Sequence, residues 1–210
     1  MLRRLGLCFV FISMATLPVT AQDVRITPDV AARTITLNGA TIVIDRIQDS
    51  ENRLEGEFTR TSRACPPFCI TPMTIAPGVA TIGELEVMDF LEKQAASGAG
   101  LLLDSRLPEF FANGSIPGAV NLPFATLDPG NPYRDEILQA VGAVKVASGW
   151  DYRDAMALAI FCNGAWCDQA PRAIRHLLAA GYPADKISFY RGGMQSWLQL
   201  GLSVQMPTGG

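Results

Sequence analysis

The sequence predicts an α/β fold, with an open parallel β-sheet flanked by helices and a β-containing extension on its N-terminal side. Short apolar runs without charges, such as residues 101–103 and 157–161, are typical of strands that are covered on both faces. A helical pattern lies between two such runs, and the order strand, helix, strand favours a parallel right-handed crossover. Hydrophobic residues make up 49% of the 210, which is enough for a buried core.

Residues 1–21 have the pattern of a secretory signal peptide. Two arginines stand among the first four residues, the stretch 5–19 is apolar and uncharged, and Val19 and Ala21 place small side chains at a cleavage site. The stretch is shorter than the ~20 residues that span a bilayer, so cleavage is favoured over an uncleaved anchor. We therefore expect a periplasmic or secreted protein with no membrane contact after cleavage.

The charge pattern argues against nucleic acid as a partner. The chain has 17 Lys and Arg against 20 Asp and Glu, a formal net charge of −3, and no basic run. It also lacks a dinucleotide or phosphate-loop fingerprint and the usual zinc spacing, so we expect neither a cofactor nor a metal. We predict four segments: the signal peptide at 1–21, an N-terminal extension at 22–80, an α/β domain at 81–205 and a tail at 206–210.

The extension is predicted to begin with a β-hairpin. The β-branched runs 34–37 and 41–44 flank Asn38 and Gly39, which accept the positive φ angles of a tight turn. Further along, Cys65 and Cys69 form a close pair with prolines between them. This pair is either a structural disulfide, the interpretation we favour, or a set of thiols that exchange with other cysteines if the extension covers them.

The α/β domain opens with a predicted helix. Thr81 and Glu84 have the spacing of a capping box, which indicates that the helix begins there. The stretch 128–154 is predicted to be a loop-rich insertion that contains one helix near 133–141.

The last two predicted strands, at 157–161 and 187–190, enclose another predicted helix. Pro171 suits the first turn of this helix, and Gly181 follows its last turn.

Chemically versatile side chains follow the predicted strands. Asp104 and Arg106 follow the first strand, Cys162 the second and Arg191 the third, and ligands of parallel sheets bind beyond these carboxyl ends. Cys162 also precedes a helix, whose amino terminus favours negative charge and is expected to lower the pKa of the thiol. The alternative is that Cys162 is a small buried hydrophobe. The predicted active-site loop comprises Asn163, Gly164, Ala165, Trp166, Cys167, Asp168 and Gln169.

Three segments resemble the signatures of the rhodanese (sulfurtransferase) family, in an exported single-domain form. The first signature of the family is similar to residues 102–106 together with 114–123. Its active-site segment is similar to Phe161-Cys162 and the loop that follows. Its closing strand, turn and helix are similar to residues 190–197. The resemblance extends from about residue 81 to 204. It implies that Cys162 takes sulfane sulfur from a thiosulfate-like donor, becomes a persulfide and passes the sulfur to a thiol or cyanide acceptor.

The expected partners are therefore a small sulfur-containing anion and a thiol acceptor, which includes another periplasmic protein in a sulfur relay. Arg106 and Arg191 are candidates for binding the anionic donor. The alternative to donor binding is that these arginines form an ion pair with Asp104 or lie in a turn exposed to solvent.

Three features depart from the family pattern. The loop is about two residues longer than in single-domain sulfurtransferases, and Asp168 occupies the position where related phosphatases have an arginine. A carboxylate there disfavours phosphatase activity and raises the pKa of a nearby thiol. The third departure is the second thiol, Cys167. It either resolves an oxidised or persulfidated Cys162, acts as the primary thiol in a rearranged loop, or only fills space.

Two rivals to sulfur transfer stay open at this point. The first is a periplasmic thiol–disulfide redox or sulfur-relay module that uses the pairs Cys162/Cys167 and Cys65/Cys69. The second is a non-catalytic rhodanese fold that binds a partner.

Overall fold

The structure, a computed structural model, describes residues 23–207. The predicted signal peptide at 1–21 therefore lies outside the described residues. Within residues 23–207, no helix has the length and apolar character needed to cross a membrane.

Within the described residues, five strands form one parallel sheet. In spatial order they are β3 (Ala80–Ile82), β9 (Ile187–Tyr190), β8 (Ala157–Phe161), β4 (Gly100–Asp104) and β5 (Val120–Asn121). All three predicted strands are present, which confirms the α/β fold with a parallel sheet. The sequence pattern missed the two edge strands, β3 and β5, because each has three residues or fewer.

Helices cover both faces of this sheet. The helices are α1 (Glu84–Phe90), which a wider turn continues through Leu91–Ala95, α2 (Pro108–Ala112), α3 (Arg134–Ala140), α4 (Gln169–Ala179) and α5 (Gly193–Gln199). Single 3-10 turns occupy Gly56–Thr59, Phe124–Leu127 and Ala184–Lys186.

The predicted start of α1 is wrong by two residues. Thr81 lies in β3, where it pairs with Phe189 of β9, and so it is not available as a helix cap. The cap is Gly83, whose backbone N–H donates to the Glu86 carboxylate at 3.0 Å. Strand pairing therefore overrides the local capping pattern.

The predicted insertion contains α3 where the pattern placed a helix. It also contains a hairpin that the sequence pattern did not predict, formed by β6 (Val144–Val146) and β7 (Gly149–Asp151).

The N-terminal hairpin is confirmed. Strands β1 (Arg33–Leu37) and β2 (Ala40–Ile44) pair in antiparallel register across Asn38 and Gly39, whose φ angles are 50° and 80°. Both angles lie in the left-handed region, as a type I′ turn requires.

Each face of the sheet has its own hydrophobic core. Leu158 and Ile160 of β8 point to the face covered by α3 and α4, whereas Ala159 and Phe161 point to the face covered by α1 and α5. This alternation follows from the two-residue period of a strand. Ile35 and Ile44 of the hairpin are buried in the second core, so the extension packs directly onto the α/β domain.

Candidate active site

Cys162 is the first residue after β8 and begins the loop that leads to α4. Its side chain is 2% exposed. The loop returns on itself, since the N–H of Cys167 donates to the Gly164 carbonyl at 2.9 Å. This turn brings the two free cysteines of the described chain, Cys162 and Cys167, next to each other.

The beginning of α5 holds the loop in place. The N–H groups of Met194 and Gln195 donate to the carbonyls of Cys162 and Asn163 at 3.0 and 2.9 Å. Gly193 permits this close approach, because it has φ +55° and a Cβ there would overlap the Cys162 carbonyl oxygen. The sequence therefore requires glycine at this position for steric reasons.

The Cys162 thiol donates to the backbone carbonyl oxygen of Cys167 at 3.5 Å. The backbone N–H groups of Gly164 and Ala170 favour its thiolate form and so act to lower its pKa. Burial nevertheless raises the pKa of Cys162 well above its ordinary value, and the hydrogen bond with Cys167 acts in the same direction. The expectation that the helix terminus lowers the pKa of Cys162 is therefore wrong, because desolvation outweighs the amides.

The lowered pKa belongs to Cys167 instead. The hydrogen bond from Cys162 is the largest cause, and the backbone N–H groups of Gln169 and Asn163 add to it, against the opposing effect of burial. Asp168 raises the pKa of Cys167, as the sequence suggested, but its effect is the smallest of the causes. Of the two thiols, Cys167 is the one that forms a thiolate more readily.

The two arginines predicted to be anion-binding groups both contact protein acceptors. Arg106 is 2% exposed, and its guanidinium donates to the Asp104 carboxylate at 2.6–3.0 Å and to the Gly114 carbonyl at 2.8 Å. Arg191 donates from Nε to the Thr71 carbonyl at 3.0 Å. Arg106 therefore forms the ion pair with Asp104 that the sequence offered as the alternative to donor binding. Binding of the anionic donor by either arginine stays a prediction.

The N-terminal extension covers the thiol loop. Thr71 donates its N–H and its hydroxyl to the Ala165 carbonyl at 2.8 and 3.0 Å. Phe68 meets Trp166 edge to face, with ring centroids 5.8 Å apart. The guanidinium carbon of Arg63 lies 3.6 Å from the Trp166 ring centroid. A disulfide joins Cys65 to Cys69 in this covering segment.

A cleft of about 760 Å³ lies between the extension and the α/β domain, and Cys167 lies in its wall. Neither this cleft nor its lining residue Arg63 was predicted from the sequence, because the walls come from segments more than a hundred residues apart in the chain. Other lining residues are Leu54, Phe58, Phe68, Arg106, Phe110, Asn163, Trp166, Asp168, Gln169 and Met194.

Fold and site together define an α/β domain that presents a cysteine where a central parallel strand meets a helix. The rhodanese-like domain family matches residues 86–200, more than half of the chain. The chain belongs to this family.

Known proteins resemble parts of the chain. A human single-domain sulfurtransferase is 26% identical, covering 58% of this chain and 96% of its own, with a TM-score of 0.41. A rhodanese-related protein from Thermoplasma volcanium is 21% identical over 61% of this chain and 99% of its own, also with a TM-score of 0.41.

One curated relative is an HTH-type transcriptional regulator of Mycobacterium tuberculosis. It is 32% identical over 114 residues, which are 54% of this chain. The matched part spans 41% of that regulator, or about two fifths of its length.

Proposed function

We propose that this chain is a sulfurtransferase that carries sulfane sulfur as a persulfide on Cys162, from a thiosulfate-like donor to a thiol or cyanide acceptor. One observation carries the proposal: Cys162 and Cys167 lie together in the loop after β8, where the Cys162 thiol donates to the Cys167 carbonyl oxygen at 3.5 Å and the backbone amides of Gly164 and Ala170 favour the Cys162 thiolate. Preorganised donors of this kind stabilise an anionic sulfur where water is excluded. Membership of the rhodanese-like family supports the same reaction class.

The positions of the two thiols favour a relay in which Cys167 receives the sulfur. Its thiolate attacks the outer sulfur of the donor, a new S–S bond forms, and the donor's S–S bond breaks with its electron pair on the leaving group. With thiosulfate, the leaving group is sulfite. Cys162 then attacks the outer sulfur and transfers its own proton to Cys167. The products are a Cys162 persulfide, held by the two amides, and the Cys167 thiol.

Mass spectrometry of the reduced protein after incubation with thiosulfate tests this scheme. The unmodified protein is expected to gain one sulfur atom and to hold it on Cys162. Cys167→Ala should gain sulfur at least about tenfold more slowly, because the thiol with the lowered pKa is lost. Cys162→Ala should gain sulfur on Cys167 but lose it quickly.

The variants separate the relay from sulfur transfer as such. If Cys167→Ala gains sulfur at the full rate, Cys162 attacks the donor directly and the relay is wrong. If the unmodified protein gains none, sulfur transfer itself is wrong. The double variant Cys162→Ala/Cys167→Ala is the control that must gain no sulfur.

Thiol–disulfide exchange is the second candidate function. The Cys162 thiol donates to the Cys167 carbonyl oxygen at 3.5 Å, and the segment that carries the Cys65–Cys69 disulfide packs on their loop. In this exchange, Cys162 and Cys167 become a disulfide while Cys65 and Cys69 become thiols, so two electrons move within the chain. Peptide mapping without reductant distinguishes the two candidate functions. Thiol–disulfide exchange gives a Cys162–Cys167 crosslink and no added sulfur, whereas sulfur transfer adds a sulfur atom.

We also propose that the mature chain begins at Gln22 in the periplasm or outside the cell. The Cys65–Cys69 disulfide supports this compartment, since such bonds persist in oxidising surroundings. Amino-terminal sequencing of the exported protein tests it, and a chain that still begins at Met1 would contradict it.

A further inference from the structure

A short segment of the extension, residues 63–71, lies over the thiol loop and contacts it near both of its ends. At one end, the guanidinium carbon of Arg63 lies 3.6 Å from the centroid of the Trp166 ring. Towards the other end, Phe68 packs edge to face on the same ring, and Thr71 donates two hydrogen bonds to a backbone carbonyl of the thiol loop. We call residues 63–71 the cover segment.

The cover segment also forms one wall of the cleft in which Cys167 lies. Arg63, Pro67 and Phe68 line this cleft together with Cys167. Cys167 itself is only 5% exposed. Movement of the cover segment away from the thiol loop would therefore widen the cleft beside this thiol.

The middle of the cover segment buries little surface of its own. All five residues from Ala64 to Phe68 are exposed, and a hydrogen bond from the Phe68 N–H to the Ala64 carbonyl closes their turn at 2.9 Å. Segments with few buried contacts open locally at a low cost in free energy. The Cys65–Cys69 disulfide counteracts this opening, because it restricts the chain between the two contacts on the Trp166 ring.

The disulfide is placed where an external reductant reaches it, since Cys65 is exposed. One thiolate of a dithiol attacks the Cys65 sulfur, and the bond to Cys69 breaks with its electron pair on the Cys69 sulfur. The second thiol of the reductant then displaces Cys65, and the reductant leaves as a disulfide. Two electrons and two protons pass to the protein, which then carries two thiols.

From these observations we infer that the cover segment is a redox-controlled gate to Cys167. The Cys65–Cys69 disulfide holds the gate closed over the thiol loop, and reduction by a dithiol releases it. This inference rests on the proposed function and names a regulation of the same site: sulfur transfer through Cys167 is slow while the disulfide is intact and faster after its reduction.

Alkylation of Cys167 by N-ethylmaleimide measures access to this thiol without any sulfur transfer. The protein with its disulfide intact is compared with the same protein after reduction by dithiothreitol and anaerobic removal of the reductant. Mass spectrometry of peptide fragments locates the label. We expect Cys167 to be labelled at least about tenfold faster in the reduced protein, because the cover segment then opens more often.

The variant Cys65→Ser/Cys69→Ser has no disulfide to reduce. It should label Cys167 at the fast rate both before and after treatment with dithiothreitol, and so it is the control for other effects of the reductant. Labelling of Cys162, which is 2% exposed and part of the core, should stay slow in every form. If the variant does not fold, the comparison of the two forms of the unmodified protein decides.

Two outcomes overturn the inference. The first is equal labelling of Cys167 in the disulfide and reduced forms. The second is equal acceleration at Cys162 and Cys167 on reduction, because the whole domain has then opened rather than the cover segment alone.

A substitution that keeps the disulfide tests the contact on Trp166. Phe68→Ala should label Cys167 severalfold faster in the disulfide form, since it removes one of the two groups on this ring. Ile70→Ala is the matched control, because Ile70 lies in the same segment and is 83% exposed. This control should label at the rate of the unmodified protein, and an increase equal to that of Phe68→Ala would contradict the role of the ring contact.

Persulfide formation with thiosulfate separates this inference from the proposed function. The rate at which the protein gains sulfur should rise severalfold when the Cys65–Cys69 disulfide is reduced. Faster labelling of Cys167 with an unchanged rate of persulfide formation overturns the regulation of sulfur transfer. Absence of persulfide in both forms overturns the proposed function alone, because labelling measures the gate independently.

Discussion

Cys162 and Cys167 are identical side chains whose surroundings move their pKa values in opposite directions. Desolvation dominates at Cys162, which is enclosed at the end of β8. At Cys167 the hydrogen bonds that stabilise the thiolate outweigh desolvation. One buried site thus holds a thiol of raised pKa next to a thiol of lowered pKa.

Removing Cys162 should raise the pKa of Cys167. A hydrogen bond donated to a thiolate favours the charged form, so its loss shifts the titration of Cys167 to higher pH in Cys162→Ala. Ultraviolet absorbance of the thiolate, followed as a function of pH, measures the midpoint. An unchanged or lower midpoint in Cys162→Ala would show that the Cys162 thiol does not stabilise the Cys167 thiolate.

At the scale of elements, the thiol loop depends on the turn between β9 and α5. The first N–H groups of α5 bind the carbonyls of Cys162 and Asn163, and this contact requires the absence of a side chain at Gly193. The thiol loop is therefore positioned by a segment that lies about thirty residues further along the chain.

Gly193→Ala should destabilise the protein by about 2–5 kcal/mol, the sum of a left-handed φ angle and a steric clash. The added Cβ would also stand 2.7 Å from the Gly164 nitrogen, which displaces one amide from the Cys162 sulfur. Urea denaturation measures the loss of stability, and persulfide formation should fall with it.

Gly39→Ala is the matched control for this prediction. Gly39 has φ +80°, but no atom lies within 4 Å of the point that an added Cβ would occupy, so only the backbone cost of about 1–2 kcal/mol applies. Equal losses in the two variants would mean that the close approach at Gly193 has no energetic consequence.

At the scale of the whole molecule, the extension and the α/β domain share one core and enclose one cleft. Ile35 and Ile44 of the hairpin pack with Val87, Met88 and Leu91 of the first helical segment. The same extension supplies two phenylalanines to the cleft. Changes in the hairpin are therefore expected to affect the stability of the entire protein.

Ile44→Ala tests this coupling and should cost about 2–5 kcal/mol in the free energy of unfolding, with a single cooperative transition. Val43 is the adjacent residue of the same strand and is 48% exposed. Val43→Ala should therefore cost only about 0.5 kcal/mol. A separate early transition of the hairpin in Ile44→Ala, with the α/β domain unaffected, would contradict the shared core.

Local patterns in the sequence were sufficient for much of the fold. The hairpin at Asn38-Gly39 depends on a turn that two residues specify, and the strands β4, β8 and β9 are continuous apolar runs. The order of these elements also predicted a parallel sheet, and hence the strand end at which Cys162 lies. The capping pattern at Thr81 predicted a helix start that is wrong, because Thr81 pairs in the sheet with Phe189, more than a hundred residues away.

Neighbouring residues specify turns, strands and helix ends, and they were therefore enough to predict the fold class, the hairpin and the position of Cys162. Two properties of the site depend instead on how distant segments pack: which thiol has the lowered pKa, and the aromatic cleft beside Cys167. The physical reason is that desolvation and hydrogen bonding depend on every group packed around a side chain. At this site those groups come from the extension, α2 and α5 as well as from the loop itself.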